Sequence, residues 1–292
     1  MKRKKPKKGL QMKRKKPKIR KGMPAKKGKP KISKPVHLRH LTSRAKKLPA
    51  GSPAAVPSFF RADLHVHTAY SVDSVALVED VLASAVRKGL SAIAITDHNQ
   101  VQGALEAQKI ARQRRLPLQV IAGEEVATDQ GDLLVYFIRG KIVPGPLARV
   151  LAEVKKQGAV CAAAHPYDFA RHGIRLEKLP SKLLSQIDAL EAFNARVTFP
   201  KHNSSAMLFA RKSGKPPLAG SDSHHPLEVG AAYTEFHGIP SLDRNSILSA
   251  PRELKGSLSP PFVHLFSRYA VVKKKLYLLR KKQRAPRRRI VK

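Results

Sequence analysis

Histidine and carboxylate residues recur at short spacings through the middle of this 292-residue chain, and both side-chain types bind metal ions. His65 and His67 stand two apart in DLHVH, and Asp222 and His224 stand two apart in SDSHH. Residues two apart on a strand project to the same face, so each pair offers two ligands to one divalent ion. The single cysteine, Cys161, excludes both an intramolecular disulfide and a cysteine-based zinc site.

Further histidines and acids follow short apolar runs. His98 in TDHN follows SAIAIT, Glu125 lies in GEEV, and His165 follows AVCAAA. Asp73 in SVDS is either a residue at the beginning of a helix or a ligand. Each residue alone has an ordinary interpretation as a surface or capping residue, but their number favours a centre with several ions. Histidine and carboxylate without cysteine favours Mn, Fe or Zn in a hydrolytic site.

The elements that must position these residues alternate between apolar runs and helical patterns. Strands are predicted at 62–67, 91–96, 117–127, 132–138, 159–164, 187–193 and 217–220, and helices at 74–88, 102–115, 147–157 and 202–213. Ser74 is the predicted cap of the first helix. This alternation predicts a parallel sheet with helical crossovers, either open or closed. Residues after successive parallel strands converge on one point only when the sheet closes, so their positions favour a TIM-like barrel.

The chain's formal net charge of +38 is concentrated at its two ends. Residues 1–62 hold 23 Lys and Arg without an acid, and residues 254–292 hold 13 without an acid. The segment between them has 22 basic and 20 acidic residues, as in an ordinary globular domain. We therefore predict a disordered Lys/Pro-rich tail (1–57), a metal-dependent hydrolase domain (58–260), and a basic amphipathic helix with a tail (261–292).

The basic tails predict contact with nucleic acid, because lysine and arginine release counterions from phosphates. The alternatives for the N-terminal tail are a solubilising segment, or translation that begins at Met12 or Met23. In the C-terminal part, apolar residues recur every three or four positions, which predicts a helix that docks its apolar face on the core, with RNA or an acidic partner for its charges. These residues are Phe262, Leu265, Phe266, Tyr269, Val272, Leu276 and Leu279.

Membrane insertion and export are not expected from the sequence. No run approaches the roughly 20 apolar residues of a membrane span. The basic N-terminus is not followed by the apolar segment of a secretory signal. We therefore expect a cytoplasmic protein, whose oligomeric state the sequence leaves open.

Five segments, in chain order, match successive motifs of one known family. DLHVHTAYSVDS, AIAITDHN, GEEV, AAAHP and GSDSHHPLEVGAAYTEF resemble the PHP (polymerase and histidinol phosphatase) superfamily, in particular its small stand-alone phosphoesterases and exonucleases. The resemblance covers residues 62–258 and leaves both tails outside. It implies a distorted TIM-like (β/α)7 barrel, the PHP fold, with a site for two or three divalent ions at its C-terminal face.

The resemblance also implies three groups of ligands, all of them histidines or carboxylates. They are His65, His67, Glu125 and Asp222 for the first metal, Glu125 and His165 for the second, and Asp73, His98 and His224 for the third. Glu125 is preferred to its neighbour Glu124. Many relatives carry a further histidine where this chain has Asp132, which either ligates the second metal or lies outside the site.

Three other residues have predicted supporting roles. Asp63 and Asp97 stand beside ligand histidines and are expected to orient them. Arg196 in EAFNAR is a candidate phosphate clamp, with a solvated loop arginine as the alternative. The sequence assigns no catalytic side chain beyond the metal-bound water.

The function that this resemblance implies is hydrolysis of phosphate esters by metal-activated water. We expect nucleotides or nucleic-acid ends as substrates, with a 5′–3′ exonuclease or a nucleotide phosphatase as the two forms. The basic tails favour a polymeric substrate. The alternatives are a catalytically weak nucleic-acid-binding protein built on a PHP barrel, and an activity of the histidinol-phosphatase or amidohydrolase type.

Overall fold

A closed β-barrel surrounded by helices forms the body of the chain. The structure, a computed structural model, describes residues 59–284, with side chains up to residue 276. The strands are β1 (Phe59–Val66), β2 (Ala92–Ile95), β3 (Gln119–Thr128), β4 (Gly131–Tyr136), β5 (Val160–Ala163), β6 (Ala189–Asn194), β7 (Pro217–Gly220), β8 (Ala232–His237) and β9 (Arg252–Gly256). The helices are α1 (Val78–Arg87), α2 (Gln102–Gln113), α3 (Leu147–Gln157), α4 (Ser181–Leu184), α5 (Pro200–Ser213), α6 (Ser246–Ser249) and α7 (Val263–Arg284).

Eight strands close the barrel in the order of the chain, and a pairing between β1 and β8 completes the ring. β1, β2 and β3 are parallel to one another, as are β5, β6 and β7, whereas β4 and β8 run antiparallel to both of their neighbours. β9 pairs with β8 outside the ring. The distorted TIM-like barrel that the sequence predicted is therefore confirmed, whereas the prediction of a wholly parallel sheet was wrong, because β4 and β8 are antiparallel.

Two apolar clusters lie on opposite faces of the strands. Neighbouring residues of β4 alternate between them, since Leu133 packs in the cluster that includes α1, α2 and α3, and Leu134 packs in the other. The second cluster fills the barrel interior with large side chains such as Tyr136 and Phe236, which are fully buried. This interior closes one end of the barrel, and the polar residues occupy the other end.

Some predicted element boundaries were wrong at their ends. Ser74 does not cap α1, which begins at Val78; the Ser74 hydroxyl instead donates to the backbone carbonyl of His224 over 3.0 Å. β8 and β9 had no sequence prediction. The predicted disordered tail, residues 1–57, lies outside the described residues. Among residues 59–284, no helix is both long and apolar enough to cross a membrane.

The C-terminal helix α7 forms, but the predicted docking face was wrong. Its buried positions are Val263 and Ala270, while Leu265, Tyr269 and Val272 are 62%, 60% and 56% exposed. Periodicity alone does not determine which face is covered. The rim of the barrel beneath α7 presents an arginine and backbone carbonyls, which are matched by polar groups of the helix rather than by apolar ones.

Gly220 on β7 offers a test of barrel closure. An added Cβ at this position would lie 2.4 Å from the Cβ of His65 and 2.8 Å from its backbone nitrogen. We expect Gly220→Ala to destabilise the fold by about 1–3 kcal/mol through overpacking, which lowers the melting temperature by roughly 2–10 °C. Gly140→Ala is the matched control, because nothing lies within 4 Å of the added atom. Equal melting temperatures for the two variants would contradict the close approach of β1 and β7.

Candidate metal centre

One end of the barrel gathers the side chains of all eight sequence-predicted ligands. They come from β1 and the loop after it, the ends of β2, β5 and β7, and the middle of β3. Six of them are at most 2% exposed: His65, His67, Glu125, His165, Asp222 and His224. Asp73 and His98 are about one-quarter exposed and lie at the opening. The structure thus brings together residues that are up to 159 positions apart in the sequence.

The first cluster consists of His65, His67 and Asp222. The Nε2 atoms of the two histidines are 2.9 Å apart, and Glu125 Oε2 lies 3.3 and 3.2 Å from them. Asp222 Oδ1 lies 3.7 and 3.5 Å from the same two nitrogens. Ligands at about 2.1 Å from one ion lie roughly 3 Å from each other. This cluster therefore has the spacing of ligands around a single cation.

The far side of each histidine ring in this cluster is held by an oxygen. His65 Nδ1 lies 2.9 Å from Glu191 Oε1, and His67 Nδ1 lies 2.9 Å from the hydroxyl of Ser71. Ser71 in turn donates to Asp97 Oδ1 over 2.8 Å. Since a carboxylate only accepts, His65 donates from Nδ1, which leaves Nε2 as the ring atom that faces the metal position.

The predicted supporting acids divide into two kinds. Asp97 orients a ligand histidine as predicted, but it reaches His67 through the Ser71 hydroxyl rather than directly. Asp63 contacts no histidine ring. Asp63 instead accepts hydrogen bonds from the backbone nitrogens of Ser221 and Gly230, at 2.8 and 2.7 Å, and holds the chain beside Asp222. Glu191 was not predicted as a supporting residue, because its contact with His65 spans 126 positions of the sequence.

The second cluster consists of Glu125, Asp132 and His165, whose ligand atoms all lie within 4.8 Å of one another. Glu125 Oε1 is 3.0 Å from His165 Nε2. Burial and the neighbouring Glu125 raise the pKa of Asp132 to about 6. A carboxyl group in this position is compensated best by a cation.

The third cluster consists of His67, His98 and His224. Asp73 Oδ2 joins it at 2.9 Å from His224 Nε2 and 3.4 Å from His98 Nε2. His98 Nδ1 lies 3.0 Å from Glu125 Oε2. Glu125 therefore touches members of all three clusters.

Electrostatics holds three of these side chains in the forms that metals bind. Burial opposes charge on Glu125 and Asp222, but His98 beside the former and Arg171 beside the latter hold both pKa values well below their usual range. Burial, helped by the charge of His67, lowers the pKa of His224 to about 3. Metals bind ionised carboxylates and neutral imidazoles, so these three groups need no proton loss on binding.

His65 shows the converse effect. Burial acts to lower its pKa, yet the carboxylates of Asp222, Glu191 and Glu125 outweigh burial and raise the pKa well above its usual value. The site therefore concentrates negative charge that either protons or metal cations must balance. A divalent cation at this place would displace the His65 proton.

Two buried carboxylate oxygens of the proposed ligands have no hydrogen-bond partner among the described residues, Asp73 Oδ1 and Asp222 Oδ1. Buried polar atoms are rarely left unpaired in folded proteins, and a bound cation supplies such a partner. The nitrogen and oxygen donors suit Mn, Fe or Zn. The residues present therefore fit a multinuclear divalent metal site, while the number and identity of the ions stay predictions.

Backbone strain accompanies two of the ligands. His165 and Asp222 have φ angles of 27° and 55°, in a region that residues other than glycine rarely adopt. The strain is held by hydrogen bonds from the backbone nitrogens, from His165 to Glu191 Oε2 and from Asp222 to the His65 carbonyl, both 2.7 Å. Such strain is retained where the surrounding structure fixes it, commonly at functional sites.

The neighbouring acids Glu124 and Glu125 point to opposite faces of β3. Glu124 Oε2 accepts a hydrogen bond from the backbone nitrogen of Ile142 over 2.9 Å, and burial raises its pKa to about 7. It touches none of the ligand histidines. The structure thus places Glu125, the residue preferred from the sequence, in the centre.

Two buried arginines flank the ligands. Arg196, 2% exposed, contacts His224 and donates to the Ser267 hydroxyl of α7 over 3.0 Å, so the predicted phosphate clamp is enclosed by protein groups. Its proposed contact with phosphate stays a prediction. Arg171, which sequence reasoning missed, forms an ion pair with Asp222 and is 19% exposed. An arginine at the end of a single 3-10 turn carries no local signal of such a contact.

The closed barrel and its three ligand clusters define a barrel-mouth site whose donors suit several divalent cations. The chain belongs to the PHP domain family, whose model matches residues 63–238. The match covers every proposed ligand and ends before α7.

The chain is also similar to curated proteins and to solved structures. The uncharacterized protein MJ1587 of Methanocaldococcus jannaschii is 32% identical over 148 residues, which are 46% of this chain and 82% of that protein. PsfC from Pseudomonas syringae superposes with a TM-score of 0.55 at 17% identity, over 74% of this chain and 99% of that one. A two-domain Bacteroides vulgatus protein containing a predicted PHP-like metal-dependent phosphoesterase superposes with a TM-score of 0.52 at 18% identity. The superposition covers 61% of this chain and 58% of that one. The two structures show a shared fold.

The adjacent pair of glutamates allows a matched test of the ligand assignment. We expect Glu125→Gln to weaken metal binding by roughly 100-fold or more, because it removes a charged ligand shared by all three clusters. Glu124→Gln should bind metal as the wild type does, since Glu124 points away. Calorimetric titration of the metal-stripped proteins with Mn²⁺ or Zn²⁺ measures both affinities. Equal losses in the two variants would contradict the assignment.

Asp132 determines how many ions the centre holds. We expect Asp132→Ala to lose about one equivalent of bound metal, because two ligands then remain in the second cluster. Asp132→His should keep that equivalent and favour zinc, for which imidazole is the better ligand. Elemental analysis of the purified proteins gives the metal content, with Asp80→Ala on the surface of α1 as the control. An unchanged metal content in Asp132→Ala would place Asp132 outside the ligand set.

Proposed function

We propose that this chain hydrolyses phosphate esters of nucleotides or nucleic-acid ends, as a 5′–3′ exonuclease or a nucleotide phosphatase. The observation that carries the proposal is the convergence of three histidine–carboxylate clusters on Glu125 at one barrel mouth. Such a site suits metal-assisted hydrolysis, in which closely spaced cations polarise a phosphate and activate water.

Membership of the PHP domain family supports the coarse class, a metal-dependent phosphoesterase. The Bacteroides vulgatus protein that shares the fold contains a predicted phosphoesterase of this class. The ligand chemistry of this chain agrees with that class, because it offers nitrogen and oxygen donors to several divalent ions and no cysteine thiolate.

The chain's own residues would prepare the site for a phosphorylated substrate. Glu191 and Ser71 fix the rings of His65 and His67, so their Nε2 atoms stay aimed at one point. Arg171 places a permanent positive charge beside Asp222 and is partly exposed. With Arg196 behind it, Arg171 would favour the approach of a phosphate anion.

The charge of the chain favours nucleic acid over a small phosphorylated metabolite. Its formal net charge of +38 comes almost entirely from the segments on either side of the family match. Such basic segments hold a polyanion by counterion release and raise its concentration near the barrel mouth.

The test uses a 5′-phosphorylated single-stranded oligonucleotide with Mn²⁺ and identifies the products by mass spectrometry. We expect stepwise release of mononucleotides from the 5′ end, or loss of the terminal phosphate alone. The His65→Ala/His67→Ala double variant should lower the rate at least 1,000-fold, which raises the activation free energy by about 4 kcal/mol. Circular dichroism of that variant controls for its fold.

The products also separate the rival functions. Phosphate release from histidinol phosphate, with the oligonucleotide untouched, would assign the histidinol-phosphatase activity instead. Oligonucleotide binding without turnover of any phosphate ester under Mn²⁺, Fe²⁺ or Zn²⁺ would show a binding protein on a PHP barrel and overturn the proposal.

A further inference from the structure

The helix α7, together with the residue before it, carries a stripe of apolar side chains that the described part of the protein leaves mostly exposed. Its members recur every three or four positions, and most are exposed by half or more. They are Phe262 (57%), Leu265 (62%), Phe266 (37%), Tyr269 (60%), Val272 (56%) and Leu276 (50%). A contiguous apolar stripe of this kind on a soluble domain marks an interaction surface.

The opposite side of α7 fixes the helix to the rim of the metal centre. Ser267 accepts a hydrogen bond from Arg196, which itself contacts His224. Lys274 Nζ donates to the carbonyl of Ala69 over 2.7 Å and to that of Ser71, in the loop between His67 and Asp73. The exposed stripe therefore lies beside the entrance to the metal centre.

One aromatic ring of the stripe touches the residue next to a proposed ligand. The rings of Phe266 and His225 are stacked, with centroids 5.0 Å apart and planes 25° apart. His225 follows His224 directly in the chain. A molecule lying along the stripe would reach the mouth of the barrel at this point.

The charge around the stripe indicates an anionic partner. Arg268, Lys273 and Lys275 are exposed. The sequence contains no acidic residue after Glu253. A second copy of the chain packed against this stripe would bring like charges together, which opposes a dimer through α7.

The aromatic content and the position of one lysine favour single-stranded nucleic acid over a lipid surface. Phe262 lies directly before α7, and Phe266 and Tyr269 lie on the helix about 4.5 Å apart along its axis, from a rise of 1.5 Å per residue. Lys273 lies one turn from Tyr269, with its Nζ 5.9 Å from the ring centroid, and so interrupts the apolar stripe with a cation. Alternating rings and cations suit stacked bases and backbone phosphates.

We propose that α7 is a platform for single-stranded nucleic acid that leads a strand end into the metal centre. Bases would stack on Phe262, Phe266 and Tyr269, and phosphates would contact Arg268, Lys273 and Lys275. This inference rests on the proposed phosphoesterase function and deepens it, because it names a single strand rather than a mononucleotide as the substrate. The platform lies outside residues 63–238, so it belongs to this chain rather than to the family match.

The experiment compares two strands of equal length and charge in the presence of EDTA, so that no cleavage occurs. The full-length protein is titrated with oligothymidylate of about 16 nucleotides, the upper site size of single-strand binding folds, and with an abasic strand of the same length. We expect the wild type to bind the thymidylate tenfold or more tightly. In Phe262→Ala/Tyr269→Ala, the ratio of the affinity for oligothymidylate to the affinity for the abasic strand should fall close to one. Binding of the abasic strand should stay unchanged, because the basic side chains remain.

Leu105→Ala/Leu208→Ala is the matched control. Both leucines are half exposed, at 50% and 53%, and lie on α2 and α5. The control should keep the wild-type ratio. Equal affinities of the wild type for the two strands, or an unchanged ratio in Phe262→Ala/Tyr269→Ala, would overturn the proposal.

A single tryptophan reports directly on the stripe, because the chain contains none. In Tyr269→Trp we expect quenching of the fluorescence by oligothymidylate and a much smaller change with the abasic strand. A blue shift with phosphatidylserine–phosphatidylcholine vesicles, without quenching by oligothymidylate, would show a membrane contact instead and overturn the platform.

Hydrolysis of p-nitrophenyl phosphate with Mn²⁺ separates this proposal from the proposed function. If the wild type hydrolyses the ester but binds both strands equally, the platform is contradicted and the phosphoesterase function is supported. If the wild type binds the thymidylate more tightly but hydrolyses no phosphate ester, the proposed phosphoesterase function is contradicted, and α7 serves strand binding alone.

Discussion

The structure depends on the concentration of buried negative charge around Glu125. This carboxylate lies against histidines from β1, β2 and β5, and its charge is joined by that of Asp222 a few ångströms away. Isolated buried carboxylates are costly, and they persist only when cations or donors surround them. Histidine rings, Arg171 and the proposed metal ions meet this requirement together. The polar end of the barrel is organised by this electrostatic constraint more than by apolar packing.

Barrel closure is what brings the opposing charges within reach. The pairing of β1 with β8, and the close approach of Gly220 to His65, place residues from both ends of the family match beside each other. The antiparallel strand β4 adds Asp132 from a direction that a regular parallel barrel would not offer. Strained φ angles at His165 and Asp222 show that ligand placement prevails over local backbone preference at this end.

The C-terminal helix extends this organisation beyond the family match. On its polar face, Ser267 accepts a hydrogen bond from Arg196, and Lys274 donates to a backbone carbonyl at the rim of the centre. Its apolar residues therefore face solvent. Arg196 contacts His224 and donates to the backbone carbonyl of Asp222, and it thereby connects the helix to two of the proposed ligands. A strand bound on α7 and the site of hydrolysis at the barrel mouth would then lie on one continuous surface.

Much of the fold and the candidate ligand set was predictable from local sequence, for a physical reason. Apolar runs such as SAIAIT and AVCAAA specify buried strands, and polar residues directly after them mark the strand ends, where a closed parallel barrel gathers them. The alternation of strands and helices and the positions of His65, His98 and His165 follow from such short-range patterns. The positions of the lysines and arginines along the chain likewise located the charge in the two terminal segments.

Tertiary structure decided what depends on contacts between distant residues. Examples are the ring contact of Glu191 with His65, the ion pair of Arg171 with Asp222, and the backbone role of Asp63. The exposed face of α7 belongs to the same group. Spacing along the chain determines which residues share a face of an element, but the surface against which that face packs is set only when remote segments come together. The sequence by itself therefore predicted the barrel and its candidate ligands, and only the folded chain determined how they are oriented, supported and approached.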